Sequence, residues 1–431
     1  MSGPEVRNDG ETWQLNWESI GLNIWLERVA RKHDDIYAYL SVESQRPGRV
    51  GHMLGPQRLN LVSAQSQQTA ARSLQQRLKL DDKDLCHDVI VQSCAIVLTQ
   101  FMAPSPSVKL SDPVDMGPIE YLAPQIPEGE TTFIYGDSES CKSLIALTIG
   151  MCVQAGVCLP WSRQPIPQRN VLVLDWETNQ RTMGWRLRRL AQGMPEPMEP
   201  PEITYRGTLW NRKARPLHTL SDEVPALREQ IAREDIGLVI LDSIGFAVTG
   251  KLVDDDVARQ AIADLRMLAP TTRLVVAHIS RESARQLGGR VDPFGSAFFR
   301  AGLRSGFEAR RSEDEVRPGR VSLGIYHWKA NDDLHTPPFG LSVDFDGLSG
   351  PIHIQPSNLM AVDDLAARTP ATSRIRAFLL EHGELPVFQI ADDLDLPAQT
   401  VHKALKRGEG TTFVRTDGQG RGAIATWGVI A

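Results

Sequence analysis

An α/β fold built on a parallel sheet is what this sequence predicts, and three observations predict it. Between about residues 115 and 345, apolar runs with β character alternate with segments of helical character. Several of those runs end in a charged or polar residue: Glu177, Asp242, His278 and Lys329. The first run, Thr131-Thr-Phe-Ile-Tyr135, passes through a short loop of small and polar residues into an apolar helix that stops at Gly156.

The totals bound the rest. The chain has 431 residues, enough for two or three domains. With 23% charged and 41% hydrophobic residues it reads as a soluble globular protein. A net charge of −6 excludes a surface that is basic all over, so any nucleic-acid contact has to be local. Five cysteines without C-x-x-C spacing indicate neither a disulfide framework nor a zinc site, and fit a reducing cytoplasm. No apolar run reaches membrane-spanning length, and no signal-peptide pattern is present, so no membrane partner is expected.

In chain order, residues 1–110 read as a small mixed α/β domain, largely helical, with no chemical motif. Apolar Trp17, Ile20, Ile24, Trp25 and Val29 predict a helix over Trp13–Arg31 that buries Trp17 and Trp25. Short strands follow in Arg49–Val62, then a polar helix over Ser63–Leu78 and a more apolar one over Asp84–Met102. The run Ala103-Pro-Ser-Pro-Ser marks a boundary. The core, 115–350, has strands at Thr132–Tyr135, Asn170–Glu177, Ile236–Ser243, Thr272–His278 and Arg320–Lys329. Its helices are expected after Leu144, over Thr182–Gly193 (rich in arginine) and over Asp255–Leu268. Residues 351–370 read as a linker.

The loop Gly136-Asp137-Ser138-Glu139-Ser140-Cys141-Lys142-Ser143, with Leu144 opening the helix, has the layout of a nucleotide phosphate-binding loop. Backbone N–H groups at a helix N-terminus point at an anion there, and the helix dipole favours it. Lys142 would reach the β- and γ-phosphates of ATP, and the Ser143 hydroxyl would hold Mg²⁺. Cysteine stands at position 141 where the pattern wants a second glycine, a substitution that penalises tight backbone conformations. The plainer alternative is a turn entering a core helix.

In sheets of this kind ligands sit at the carboxyl ends of the strands. Asp242 can hold Mg²⁺ through its water shell opposite Ser143, or merely cap its strand. Glu177 can orient or deprotonate an attacking water, with Asp175 a rival for that role; a helix N-terminal acid is the alternative. His278 can sense the γ-phosphate or be a satisfied strand-end histidine. The Gly- and Arg-rich segment Arg281–Gly295, with Arg281, Arg285 and Arg290, can contact DNA phosphates or be a solvated loop. Gly245–Asp256 is a second loop of that kind, weakened by three consecutive aspartates.

Together, Gly136–Ser143, Val171-Leu-Val-Leu-Asp-Trp-Glu177, Val239-Ile-Leu-Asp242-Ser and Ala277-His-Ile-Ser-Arg281 resemble the RecA-like ATPases. The branch they are most similar to is that of the plasmid RepA hexameric helicases and their phage relatives. Asp292–Ser305 and the late strand with Lys329-Ala-Asn331 are similar too. The resemblance covers roughly residues 115–345. It implies a RecA-like core, ATP hydrolysis with Mg²⁺, a homo-oligomer such as a hexameric ring, and single-stranded DNA as the track. It also implies Lys142 and Ser143 on phosphate and metal, Glu177 as catalytic base, Asp242 as metal-site acid and His278 on the sensor strand. Lys329, or else Arg304, is implied as the basic finger reaching a neighbour's γ-phosphate. Arg281 stands where relatives often have lysine, and the two differ in geometry.

Residues 371–431 predict helices at Ser373–His382, Val387–Leu394 and Leu396–Arg407. Strands at Thr411–Arg415 and Ala423–Trp427 follow, joined by a Gly-rich turn. This pattern resembles a winged helix–turn–helix. Thr400, Lys403, Lys406 and Arg407, with Gln399 and His402, would populate its recognition helix, and Arg421, with Arg415, the wing, for duplex DNA. The expected function is an ATP-hydrolysing, DNA-dependent motor. The alternative is an ATP-switched DNA-binding regulator or recombination accessory that unwinds nothing.

Overall fold

The computed structural model describes residues 3–8, 12–32, 35–46, 51–78, 83–103, 120–209, 217–279, 297–313, 317–331, 335–416 and 424–430. The chain divides into two compact units, Met1–Asp115 and Met116–Ala431.

In the first unit an antiparallel meander of β1 (Glu5–Asn8), β2 (Thr12–Trp17), β3 (Leu22–Lys32), β4 (Asp35–Ser44) and β5 (Gly51–Asn60) is followed by α1 (Ala64–Leu78) and α2 (Lys83–Phe101). The helix expected over Trp13–Arg31 is therefore two strands joined by a tight turn in which Gly21 takes φ 64°. The reason lies in period two. Trp13, Leu15 and Trp17, and then Leu22, Ile24 and Leu26, recur at every second position and all are buried. Ile20 belongs to the turn, and Ile24, Trp25 and Val29 all lie on β3, so their four-residue steps imitate a helix without forming one. Trp17 is fully buried and donates from Nε1 to Ser93 Oγ on α2 at 3.1 Å. Trp25 points to the other face and is only half-buried.

In the second unit, a short hairpin of β6 (Tyr121–Ala123) and β7 (Ile126–Pro127) leads into β8 (Thr131–Gly136) and α3 (Lys142–Ala155). Next come β9 (Asn170–Asp175), α4 (Gln180–Gln192), β10 (Thr204–Gly207), α5 (Leu220–Glu234), β11 (Ile236–Asp242), α6 (Ile244–Ala247), α7 (Asp255–Arg266) and β12 (Thr272–His278). Then follow α8 (Ala297–Gly302), β13 (Ser305–Arg311), β14 (Arg320–Ala330), β15 (Phe339–Phe345) and β16 (Ile352–Ser357). Among the described residues nine of these strands form one sheet in the order β10-β9-β11-β12-β8-β13-β14-β15-β16. The first six are parallel, and β14 to β16 extend the sheet antiparallel.

The parallel strands are apolar throughout because both of their faces are covered. Ile134, Val173, Ile240 and Val276 pack under α3 and α4, whereas Phe133, Leu172, Leu241 and Val275 pack under α5, α7 and α8. α3 itself is buried along nearly its whole length, which explains its unbroken apolar sequence. The expected linker 351–370 is corrected: Ile352 and Ile354 are buried in the edge strand β16, and α9 (Asp363–Arg368) follows. Its prolines suggested a spacer, but alternating isoleucines seat the segment on the sheet.

The chain ends in α10 (Ala371–His382), β17 (Leu385–Pro386), α11 (Val387–Asp393), α12 (Ala398–Arg407), β18 (Phe413–Thr416) and β19 (Thr426–Val429). Its three helices start directly after Pro370, Pro386 and Pro397, whose fixed φ suits a helix entrance. The three strands pair in the order β17-β19-β18 around a core of Ile375, Leu379, Ile390, Val401, Leu405, Phe413 and Trp427. The Gly-rich turn and Arg421 lie outside the described residues.

Candidate nucleotide site

The loop after β8 is fixed by its neighbours. Gly136 pairs with His278 on one side and Ala309 on the other. A Cβ at Gly136 would lie 2.0 Å from the Ala309 carbonyl oxygen, so only glycine lets β13 approach there. The Asp137 carboxylate accepts from Ser138 N at 2.7 Å, and the Asp137 carbonyl accepts from Ser140 Oγ at 2.8 Å. Glu139 takes φ 63° and its carboxylate meets Arg311 of β13 at 2.7 Å. Lys142 is buried and its Nζ donates to the Asp137 carbonyl and, at 3.2 Å, to Ser140 Oγ. Burial pulls the Lys142 pKa down to about 8, opposed by Asp242, Asp137 and Glu177, three carboxylates that surround it.

Cys141 caps α3 with φ 54° and ψ 20°, inside the left-handed region. The missing glycine of the motif is thus missing at a position where glycine is the unstrained residue. The left-handed conformation costs an L-residue about 1–2 kcal/mol, and part of that is offset because glycine gives up more chain entropy on folding. Burial raises the Cys141 thiol to about 11, so it is a packed, protonated group and not a nucleophile. The strain belongs to the folded loop itself. Cys141→Gly is therefore expected to change ATP affinity by less than about threefold and to raise stability by up to about 1 kcal/mol. Titration with a fluorescent ATP analogue and denaturant unfolding read the two. A tenfold gain in affinity would show that the natural loop has to deform to bind.

Three strand tips converge on this loop. β9 and β11 are neighbours in register, with Asp175 opposite Asp242. Trp176 N donates to the Asp242 carbonyl at 2.8 Å, and the next residue, Glu177, reaches across to the end of β12. The Glu177 carboxylate lies 3.5 Å from His278 Nε2, and both side chains are about 30% exposed (31% and 29%). His278 first, and to a lesser degree Ser243 and Lys142, hold the Glu177 carboxyl below its usual range against the opposing effect of burial. Asp242 is the reverse case. Burial pushes it up to about 6, a hydrogen bond from Ser143 opposes the rise, and Glu177 and Asp175 add to it.

Asp242 Oδ1 is buried and has no hydrogen-bond partner. A buried orphan acceptor next to a serine hydroxyl fits Mg²⁺, which takes few protein oxygens and completes its shell with water and phosphate oxygens. Among the described residues no group of three or more His, Cys, Asp or Glu side chains could hold a metal alone. The pair Ser143 and Asp242 would therefore hold the cation together with the oxygens of the nucleotide, as a Lewis acid on the phosphates.

Asp175 is not free to act as a base. Its carboxylate accepts from Glu177 N at 2.9 Å, from Thr178 N at 2.8 Å and Thr178 Oγ1 at 2.5 Å, and from Tyr205 OH at 3.0 Å. Two arginines escaped sequence reading. Arg186, on α4, is close enough to Asp242 and Cys141 to oppose the burial-driven rise of both, and Arg311 reaches Glu139. The first was visible only as one of several arginines in a helix; the second carried no motif at all.

Lys329 and Arg304 lie elsewhere. Lys329 pairs with Gly306, which pairs with Phe133, three residues before Gly136. Arg304 N bonds the Thr131 carbonyl, and its side chain lies 3.7 Å from Glu130. Arg304 thus stands at the start of β8 and Lys329 level with its third residue, both away from the loop. Arg281, Arg285 and Arg290 lie outside the described residues. Thr400, Lys403, Lys406 and Arg407 are all exposed on α12, with Lys406 bonded to Glu409 at 2.8 Å.

Residues 115–284 match the family model described as an AAA domain. That match supports reading the loop and the strands around it as part of a P-loop ATPase domain. The parallel-dominated sheet fits a RecA-like core of that class, and ATP with Mg²⁺ is what such domains generally use. A KaiC-like protein from the hyperthermophilic archaeon Pyrococcus horikoshii OT3 is similar in structure, at 11% identity and a TM-score of 0.38. The match covers 56% of this chain and 100% of that one. No curated protein matches the chain in sequence. Among the described residues no helix is long and apolar enough to cross a membrane.

Proposed function

We propose that the chain is an ATP-hydrolysing, DNA-dependent motor of the RepA/RecA-like helicase type, working in replication or recombination. One observation carries this reading: Lys142, Ser143, Glu177, Asp242 and His278, from four parts of the sequence, meet at one end of one sheet. Lys142 neutralises phosphate charge, Ser143 and Asp242 hold Mg²⁺, and Glu177 orients the attacking water and takes its proton. His278 stays against Glu177 and responds to what lies beside it.

Hydrolysis then falls between subunits of a homo-oligomer, such as a hexameric ring. Lys329 and Arg304 support this, because both are basic and both stand away from the loop of their own chain. Single-stranded DNA is the proposed track of the core. The turnover rate with and without single-stranded DNA, measured together with the mass of the assembly, tests the proposal. A DNA-stimulated oligomer is expected; an unstimulated monomer sinks the motor. A second reading, an ATP-switched regulator, draws support from Glu139 and Cys141, two non-glycine residues held at positive φ in the phosphate loop. Strand displacement on a forked duplex separates the two, since only the motor unwinds.

Residues 371–430 are proposed as a winged helix–turn–helix. The succession helix, strand, helix, helix, strand, strand supports it, as does the exposure of Thr400, Lys403 and Arg407 along α12. Replacing Lys403 and Arg407 together by alanine is expected to weaken duplex binding and to lower the slope of log affinity against log salt by about 2. Fluorescence anisotropy across a salt series measures it. An unchanged slope would assign the module to protein contacts instead.

A further inference from the structure

The turn that carries Glu177 is held by more contacts than a strand-to-helix connection needs. Asp175 is buried at 1% exposure, and its two carboxylate oxygens are engaged by Glu177 N, Thr178 N, Thr178 Oγ1 and Tyr205 OH. Trp176 is clasped at both ends, by its N–H on the Asp242 carbonyl and by Nε1 on the His218 carbonyl at 2.7 Å. Gln180 N donates to the Thr208 carbonyl at 2.9 Å.

Tyr205 comes from β10, the edge strand, which adds little to the core. Its neighbour Gly207 makes room for it. A Cβ at Gly207 would lie 2.5 Å from the Tyr205 hydroxyl oxygen and 2.6 Å from the Asp175 carbonyl oxygen. Gly207 also pairs with Asp175 in the sheet. The edge strand is thus cut to let one phenol reach one carboxylate. Burial and Asp175 both raise the Tyr205 pKa, so the hydroxyl keeps its proton and remains a donor.

We propose that Asp175, held by Tyr205 across Gly207, is the positioning residue that sets the Glu177 carboxylate against His278 for water activation. This rests on the reading of Glu177 as the hydrolytic base. Asp175 touches no reacting atom; it orders the backbone on which the base stands. A displacement of about 1 Å in a base can cost about a hundredfold in rate.

The full-length chain is assayed as wild type, Asp175→Ala, Asp175→Asn, Tyr205→Phe, Glu177→Gln and the double variant Asp175→Ala/Glu177→Gln. Asp175→Ala is expected to lower kcat by at least about tenfold with KM for ATP changed less than about twofold. Asp175→Asn is expected to restore kcat to within about threefold of wild type, because its amide oxygen still accepts both backbone N–H groups while the two hydroxyls turn to accept from Nδ2. In single-turnover assays the double variant is expected to be no slower than Glu177→Gln alone, since a residue that acts through the base has nothing left to act on.

Additive losses in the double variant overturn the proposal, as does a kcat for Asp175→Ala within about twofold of wild type. If Asp175→Ala does not fold, by circular dichroism and gel filtration, Tyr205→Phe takes its place. It removes one hydroxyl, and a kcat loss of about threefold or more at constant KM is required of it. Full turnover in Glu177→Gln would overturn the underlying reading as well, whereas a dead Glu177→Gln beside a fully active Asp175→Ala overturns this inference alone.

Discussion

Glu177→Gln is expected to abolish ATP turnover while leaving nucleotide affinity within about threefold, a loss of about a hundredfold to ten-thousandfold in rate. The size follows from what the side chain is. His278, Ser243 and Lys142 hold Glu177 below its usual range, so at neutral pH it is a carboxylate with an acceptor to spare. Glutamine keeps the volume and one acceptor but cannot take a proton. Lys142, Ser143 and the loop backbone, which would hold the phosphates, are untouched, so binding persists. Steady-state phosphate release and equilibrium nucleotide titration check the two halves. Undiminished turnover would remove Glu177, and with it the proposed mechanism.

The second large effect concerns stability. Glu308, on β13, is 2% exposed and lies between Arg310 at 3.0 Å and Arg368 at 3.9 Å, with Trp328 Nε1 donating to it at 2.7 Å. Arg310 and Arg368 are themselves 13% and 8% exposed at the side chain. Burial and the adjacent Arg310 already lower the Arg368 pKa, and Glu308 is the first group that offsets them. Removing the carboxylate leaves two buried guanidiniums side by side. Glu308→Ala is expected to lower stability by about 3–5 kcal/mol. A shift in the thermal or urea midpoint of the full chain measures it; a loss below about 1 kcal/mol would mean water reaches the network. The exposed pair Arg233 and Glu229, at 3.7 Å on α5, is expected to contribute nothing measurable.

That network also shows why the segment after residue 350 was misread. Arg368 reaches Glu308, Asp364 accepts from Ser312 Oγ at 2.9 Å and from Glu313 N at 2.8 Å, and Tyr326 OH bonds the Leu365 carbonyl at 2.8 Å. Each partner is at least 39 residues away in sequence. A proline-rich stretch carries no trace of such contacts. The Trp13–Arg31 segment failed for another reason: two strands and a four-residue turn can place apolar residues at helical spacing. The strand β13 was missed because Gly306 and the charged Glu308, Arg310 and Arg311 hide its pattern.

Short-range order was legible. The parallel strands β8, β9, β11 and β12, the helix α3 and its glycine stop, and the three helices and last two strands after residue 370, though not the short β17 between them, follow from local apolar runs and from glycine and proline, which act on the chain within a few residues. Lys142 and Ser143 could be nominated from the loop layout, and Glu177, Asp242 and His278 because strand ends are where such sheets gather chemistry. Only the tertiary structure decided which of them meet. Strand order puts His278 beside Gly136 and Asp175 opposite Asp242, makes Asp175 a clasp instead of a base, brings Arg186 and Arg311 to the loop, and leaves Lys329 and Arg304 away from it. The physical reason is that pairing between strands depends on hydrogen bonds and packing between segments far apart in the chain, and no local propensity encodes which partner a strand takes.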